Sequence, residues 1–181
     1  MKLVLLDRDG ILNEDRADYV KNPGELVMIP GVGEAVAHLN NAGLKIAIVS
    51  NQSAVGRGII SMAMLEQINA KLLTELRRGG AKIDLFLMCP DAPGQHSERR
   101  KPAPGMLREA MTHFRVQPHE AVMIGDQLTD LRAAKAAGCA RFLVRSGKGA
   151  QTQAAGLPPD VLPVAVYDSL MEAAVSLVPK A

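Results

Sequence analysis

Two aspartates one residue apart, Asp7 and Asp9, followed at once by Gly10, are the strongest chemical signal in the chain. Side chains alternate along extended backbone, so residues two apart point the same way. Both carboxylates would then face one pocket, where their repulsion calls for a cation or a shared proton. Asp and Gly are also ordinary turn residues, so a plain polar turn competes with this reading until the rest of the chain is considered. Three further polar groups matter: Ser50-Asn51, Arg100-Lys101 and Asp126. An Asp nucleophile can attack a phosphoryl group only where the negative oxygens are neutralised, which calls for Mg²⁺ and a nearby Lys or Arg. A second carboxyl beside the first could protonate the leaving alkoxide and later deprotonate water. Ser50 and Asn51 offer donors for the remaining oxygens, and Asp126 is a hard-oxygen ligand of the kind Mg²⁺ prefers.

The elements that would position these groups are legible. Lys2-Leu3-Val4-Leu5-Leu6 is an apolar run of the sort buried on both faces of a parallel sheet, and it stops at Asp7. Similar runs are predicted as strands at Leu44–Val49, Ile83–Met88, Ala121–Ile124 and Arg141–Val144, with an edge strand near Val164-Ala165-Val166. Between them the spacing predicts helices over Gly33–Asn41, from an N-cap at Ser61 to Arg78, over Pro104–Phe114, over Leu128–Ala137, and after Asp168. Leu65, Ile68, Leu72, Leu73 and Leu76 form the stripe of the longest helix, and Met62 and Met64 read as core filler. Gly149 to Pro159 reads as a loop.

Alternating strands and helices imply an α/β fold: a three-layer, Rossmann-like parallel sheet with helices on both faces, as one domain over residues 1–181. Right-handed crossovers bring the strand ends to one edge, where ligands of such sheets bind. That edge would collect Asp7, Asp9, Ser50, Asn51, Lys101 and Asp126.

Bulk properties narrow the partners. A net charge of +2 and 3% aromatic content supply neither a basic stripe nor stacking platforms, so nucleic acid is not expected. No apolar run reaches membrane-spanning length, and the opening run is too short for a signal peptide. Two distant cysteines, Cys89 and Cys139, do not make a disulfide framework. A monomer in a reducing cytoplasm is the expectation.

Asp7-Arg8-Asp9-Gly10, Ser50-Asn51-Gln52, Lys101-Pro102 and Gly125-Asp126-Gln127-Leu128-Thr129-Asp130 together resemble the four motifs of the haloacid dehalogenase-like phosphatases. The resemblance implies Asp7 as the nucleophile that becomes aspartyl-phosphate and Asp9 as general acid and base. It implies Ser50 and Lys101 on the phosphoryl group, and Mg²⁺ held by Asp7, Asp126 and the main-chain carbonyl of Asp9. Asp130 would support that arrangement or hold the loop. Asp7 to Asn13, Asn51-Gln52-Ser53, Gly56-Arg57-Gly58 and Arg100-Lys101-Pro102 are similar, within that group, to the D-glycero-D-manno-heptose-1,7-bisphosphate 7-phosphatases and their histidinol-phosphate relatives. That likeness implies a sugar-phosphate substrate contacted by Asn51, Arg100 and Lys101. The stretch from Asp9 to Asn51 is too short for a folded cap domain, so a capless site is expected.

The resemblance breaks in the loop before Arg100. Where the family carries Cys-x-His and Cys-x-Cys around a structural zinc, this chain has Cys89, Asp91, Ser97 and Arg99. One thiolate, even with His96, does not make a tetrahedral N/S site. Zinc is therefore not expected, and Pro90, Pro93 and local hydrogen bonds must hold the loop. His38, His113 and His119 read as packing or surface residues, and Arg145 and Lys148 as either phosphate contacts or polar loop. A polynucleotide-end phosphatase and a receiver-like phosphoacceptor module are the competing functions. A receiver would carry its phosphoacceptor on the third strand, where this chain has Met88-Cys89.

Overall fold

The computed structural model describes residues 1–95 and 97–178. Its strands are β1 (Leu3–Leu6), β2 (Lys45–Asn51), β3 (Leu85–Cys89), β4 (Ala121–Gly125), β5 (Ala140–Val144) and β6 (Ala165–Tyr167). All pair in parallel, in the order β3-β2-β1-β4-β5-β6. The helices are α1 (Val32–Asn41), α2 (Ser53–Gly56), α3 (Met62–Arg78), α4 (Gly105–Phe114), α5 (Leu128–Ala137), α6 (Gly149–Ala154) and α7 (Leu170–Leu177).

The central strand shows why its sequence is apolar without interruption. Val4 and Leu6 pack on one side with Val36 and Leu39 of α1, Ile68 and Leu72 of α3 and Ala173 of α7. Leu3 and Leu5 pack on the other with Leu107 and Ala110 of α4 and Ala133 and Ala134 of α5. Each fully buried leucine contributes about 1.5–3 kcal/mol over an exposed one, so both faces stabilise the strand. The floor of the site therefore rests on the most constrained part of the molecule.

Local signals account for most boundaries. Ser61 caps α3 by accepting the Met64 N–H, and Gly138 ends α5 in the left-handed conformation at φ +79°. Several expectations need correction. β3 starts at Leu85, not Ile83, because the Asp84 carboxylate takes the Ile46 N–H at 3.0 Å in place of a main-chain partner. Met62 is 39% exposed, and Leu73 is only half-buried. Met64 does pack on the core. Two helices were not predicted: α2 is a single turn, and α6 buries only Gly149, so neither carries an apolar stripe. Among the described residues no helix is long and apolar enough to cross a membrane.

Candidate active site

Register fixes the first part of the site. Leu6 is level with Ile48 of β2 and Ile124 of β4, so the residues after β1, β2 and β4 leave the sheet at one edge. Asp7 lies there, buried, with its Oδ1 accepting the Arg8 N–H at 2.7 Å. Lys101 Nζ sits 2.9 Å from Asp7 Oδ1 and 2.6 Å from Asp130 Oδ1. Asn51, at the end of β2, clamps the Lys101 backbone: its amide donates to Lys101 O and its carbonyl accepts Lys101 N–H, each at 3.0 Å. Asp130 in turn accepts the Gln127 N–H at the start of α5. A buried lysine from the loop before α4 is thus held by Asn51 at the end of β2 and neutralised by Asp7 after β1 and Asp130 on α5.

Asp9 has a different environment. Its carboxylate receives Arg8 Nη2 at 2.8 and 3.0 Å, Asn13 Nδ2 at 2.8 Å and Gln52 Nε2 at 2.8 Å. Arg8 is itself buried and also donates to Asn69 of α3 at 3.0 Å. Burial pushes the Asp9 pKa upward, but the Arg8 charge and these donors outweigh it and hold the group below the usual carboxylate range. Asp9 is an ionised, oriented carboxylate in this state.

The third part is a carboxylate group suited to a hard cation. Among the described residues, Asp7, Asp126 and Asp130 bring ligand oxygens within 4.8 Å of one another. Asp126 Oδ2 accepts the Lys148 N–H at 2.7 Å, and its main-chain carbonyl accepts Thr152 Oγ1 at 2.8 Å. Its Oδ1 is buried with no hydrogen-bond partner. An unpartnered buried carboxylate oxygen is costly. A divalent cation between Asp7 and Asp126 would satisfy it, and the all-oxygen donor set suits Mg²⁺. Asp130 is already engaged by Lys101 and Gln127, so it supports the cation site from behind. The Asp9 carboxylate is not part of this group. Burial raises the Asp7 pKa to about 8 and, helped by Asp130, that of Asp126 to about 7. For Lys101, burial opposes the charge, but Asp130 and Asp7 prevail and raise its pKa.

Around this floor is a pocket of about 270 Å³ lined by Asp7, Asp9, Gln52, Arg100, Lys101 and Lys148, among others. Ser50 is fully buried beneath it, its Oγ accepting Gln52 Nε2 at 2.7 Å. Asn51 lines the pocket, yet its side-chain amide is occupied by Lys101. Lys148 reaches the rim, where its Nζ lies 2.7 Å from Asp15. Arg145 instead pairs with Asp168 and Gln153 outside the pocket. The loop after β3 is held by hydrogen bonds among Cys89, Asp91, Ser97 and Arg100. His96, weighed as a zinc ligand, lies outside the described residues. His38 Nε2 donates to Val178 O at 2.8 Å, and His113 packs edge-on against Phe114.

Sequence reasoning gave no role to Arg8, Asn13, Gln52, Asn69, Gly147 or Thr152. Two had a readable signal: Gln52 is two residues beyond Ser50, and Asn13 is four beyond Asp9. Gly147 had none. A Cβ there would overlap Asp126 Oδ2 and lie 2.5 Å from the Gly10 Cα, so the β5 loop is pressed onto the opening acidic turn.

A HAD-hydrolase-like family model matches residues 98–173. With an aspartate pair, a buried lysine and a fourth-strand acid on one edge of a parallel sheet, this is a haloacid dehalogenase-like phosphatase. The D-glycero-β-D-manno-heptose-1,7-bisphosphate 7-phosphatase of Pseudomonas aeruginosa is 38% identical over 175 residues, 97% of each chain. That of Pseudomonas putida is 38% identical, covering 98% of this chain and all of the relative. The crystal structure of D,D-heptose 1,7-bisphosphate phosphatase from Bordetella bronchiseptica, complexed with magnesium and phosphate, superposes with a TM-score of 0.93 at 38% identity over 100% of both chains. The chain belongs to this heptose-bisphosphate phosphatase family.

Proposed function

We propose that the protein hydrolyses the 7-phosphate of D-glycero-β-D-manno-heptose 1,7-bisphosphate through an aspartyl-phosphate on Asp7, with Mg²⁺ as cofactor. The observation that carries this reading is a buried Asp7 carboxylate held 2.9 Å from Lys101 Nζ, at the floor of a pocket that Arg100 rims. Full-length likeness to the heptose-bisphosphate phosphatases supports the substrate. The partner is a small phosphorylated sugar, met by a monomer in the cytoplasm.

In the first step an Asp7 oxygen forms a bond to phosphorus as the ester P–O bond breaks, and Asp9 gives a proton to the leaving alkoxide. Asp9 is ionised at rest, so its proton must come with the substrate, whose negative charge raises the Asp9 pKa. In the second step Asp9 takes a proton from water, which attacks phosphorus and releases Asp7. Lys101 offsets phosphoryl charge throughout. Gln52 donates to Ser50 Oγ, which leaves the Ser50 proton for a phosphoryl oxygen. Asn51 acts by fixing Lys101, and Arg100 contacts the phosphate that stays. Mg²⁺, held by Asp7, Asp126 and the Asp9 carbonyl when bound, supplies further charge neutralisation.

Phosphate release should be compared across the heptose bisphosphate, histidinol phosphate and nucleotides, with and without Mg²⁺. The reading expects the highest kcat/KM on the heptose bisphosphate and dependence on Mg²⁺. A clear preference for another phosphoester would overturn the substrate.

A further inference from the structure

Between β3 and α4 the pocket rim is formed by a loop that carries a polar knot. Cys89 Sγ, buried at the end of β3, donates to Asp91 Oδ2 at 3.2 Å and lies 3.5 Å from Ser97 Oγ. Ser97 Oγ accepts the Arg100 N–H at 3.1 Å. Arg100 Nη1 then reaches back to the main-chain carbonyl of Asp91 at 2.9 Å. Arg100 is therefore tied at both ends, main chain and guanidinium, to the same knot.

The surroundings give this a direction. Arg100 lines the pocket with Lys101 and Asp9. Its neighbours in sequence are engaged elsewhere: Arg99 pairs with Glu109 of α4, and Lys101 is clamped by Asn51. An untied arginine carries much side-chain rotamer freedom, part of it lost on gripping an anion. Fixing the guanidinium beforehand removes part of that cost from binding. Arginine also grips phosphate through a rigid fork of donors, so small changes in its pose matter.

We propose that Ser97 and Asp91 are positioning residues for substrate selectivity, acting by fixing Arg100 against the phosphate that is not cleaved. The proposal rests on the bisphosphate reading of the pocket. A staple that merely stabilised the loop would change melting behaviour, or all substrates alike. A positioning knot changes recognition of the second phosphate.

The test is steady-state kinetics on the heptose bisphosphate and on para-nitrophenyl phosphate, which has no second phosphate. Ser97→Ala should raise KM for the bisphosphate about ten-fold with kcat nearly kept, the scale of one lost hydrogen bond. The ratio of kcat/KM between the two substrates should fall by a similar factor, and Ser97→Thr should restore it. In Arg100→Ala, adding Ser97→Ala should cost nothing further, because the knot then has no guanidinium to place. Equal losses on both substrates, or losses that add in full in the double variant, would overturn the proposal. If wild-type enzyme handles the heptose bisphosphate no better than the nitrophenyl ester, the substrate reading fails. The same double-mutant cycle on the best sugar bisphosphate then decides the role of the knot by itself.

Discussion

At the floor of the pocket, Asp7, Lys101, Asp126 and Asp130 are all buried; the acids are placed by strand ends or by the helix that follows one, and Lys101, from the loop before α4, is clamped by Asn51 at the end of β2. At the rim, Arg100 is half-buried and placed by a loop whose anchors are a thiol, a hydroxyl and a carboxylate. The floor is held by ion pairs in a low-dielectric setting, where losing one partner strands a charge. The rim is held by single hydrogen bonds near water, each of modest net strength. On the proposed reading, reaction chemistry thus rests on buried, ion-paired groups, while substrate choice rests on groups that can change at little cost to the fold. Asp91, Ser97 and Arg99, which stand where the resemblance expects zinc ligands, belong to the loop that carries Arg100.

Breaking the floor should have the largest consequences. Asp7→Asn should lower phosphate release by on the order of 10⁴-fold or more, with circular dichroism unchanged. Turnover retained in that variant would remove the distinction between floor and rim.

Lys101→Met leaves the buried Asp7 and Asp130 carboxylates unpaired. Loss of one partner from such a cluster costs roughly 3–5 kcal/mol. Thermal melting should therefore fall by several degrees. An unchanged melting temperature would contradict the role assigned to the ion pairs.

Titration sharpens the same contrast. Asp7 and Asp126 keep their protons to about pH 8 and about pH 7 in the metal-free fold, against about 4 in an unfolded chain. Between these values the folded state binds more protons than the unfolded one, so stability must fall as pH rises. That contribution is whole below about pH 4 and lost by about pH 8. Mg²⁺ stands in for the protons. Melting in a chelator should decline from about pH 5 to about pH 8, and saturating Mg²⁺ should remove most of the decline. Parallel profiles with and without the metal would count against a cation between Asp7 and Asp126.

The smallest effect is expected beside Asp126. Lys148→Ala removes an ion pair to Asp15 that is half exposed, worth at most about 1 kcal/mol. The main-chain N–H that orients Asp126 stays, so Mg²⁺ affinity should hold. Gly147→Ala, by contrast, sets a methyl group against Asp126 Oδ2 and should weaken Mg²⁺ binding measured by calorimetry. Equal behaviour of the two variants would show that the β5 loop does not orient Asp126.

The sheet was legible because strands buried on both faces have an unmistakable composition, as Leu3 to Leu6 and Ala121 to Ile124 illustrate. The acids and Lys101 were legible because each stands directly after such a strand or in a motif on the same edge. The braces were not. Asn69 sits on the buried face of α3 as a polar residue among leucines, and only the fold shows that it meets Arg8. Thr152 and Gly147 belong to a polar stretch with no period to read, and their contacts are to atoms far away in sequence. Asn51 shows the reverse case: its place in the pocket was foreseen, but its amide faces the Lys101 backbone.

The central claim is that Asp7 carries the phosphoryl group while Asp9 moves the protons. Asp9→Asn enzyme, mixed with the heptose bisphosphate and Mg²⁺ and quenched in acid, should show by peptide mass mapping a phosphoryl group on the peptide containing Asp7. A phosphoryl group on any other residue, or steady phosphate release without labelling of that peptide, would contradict it.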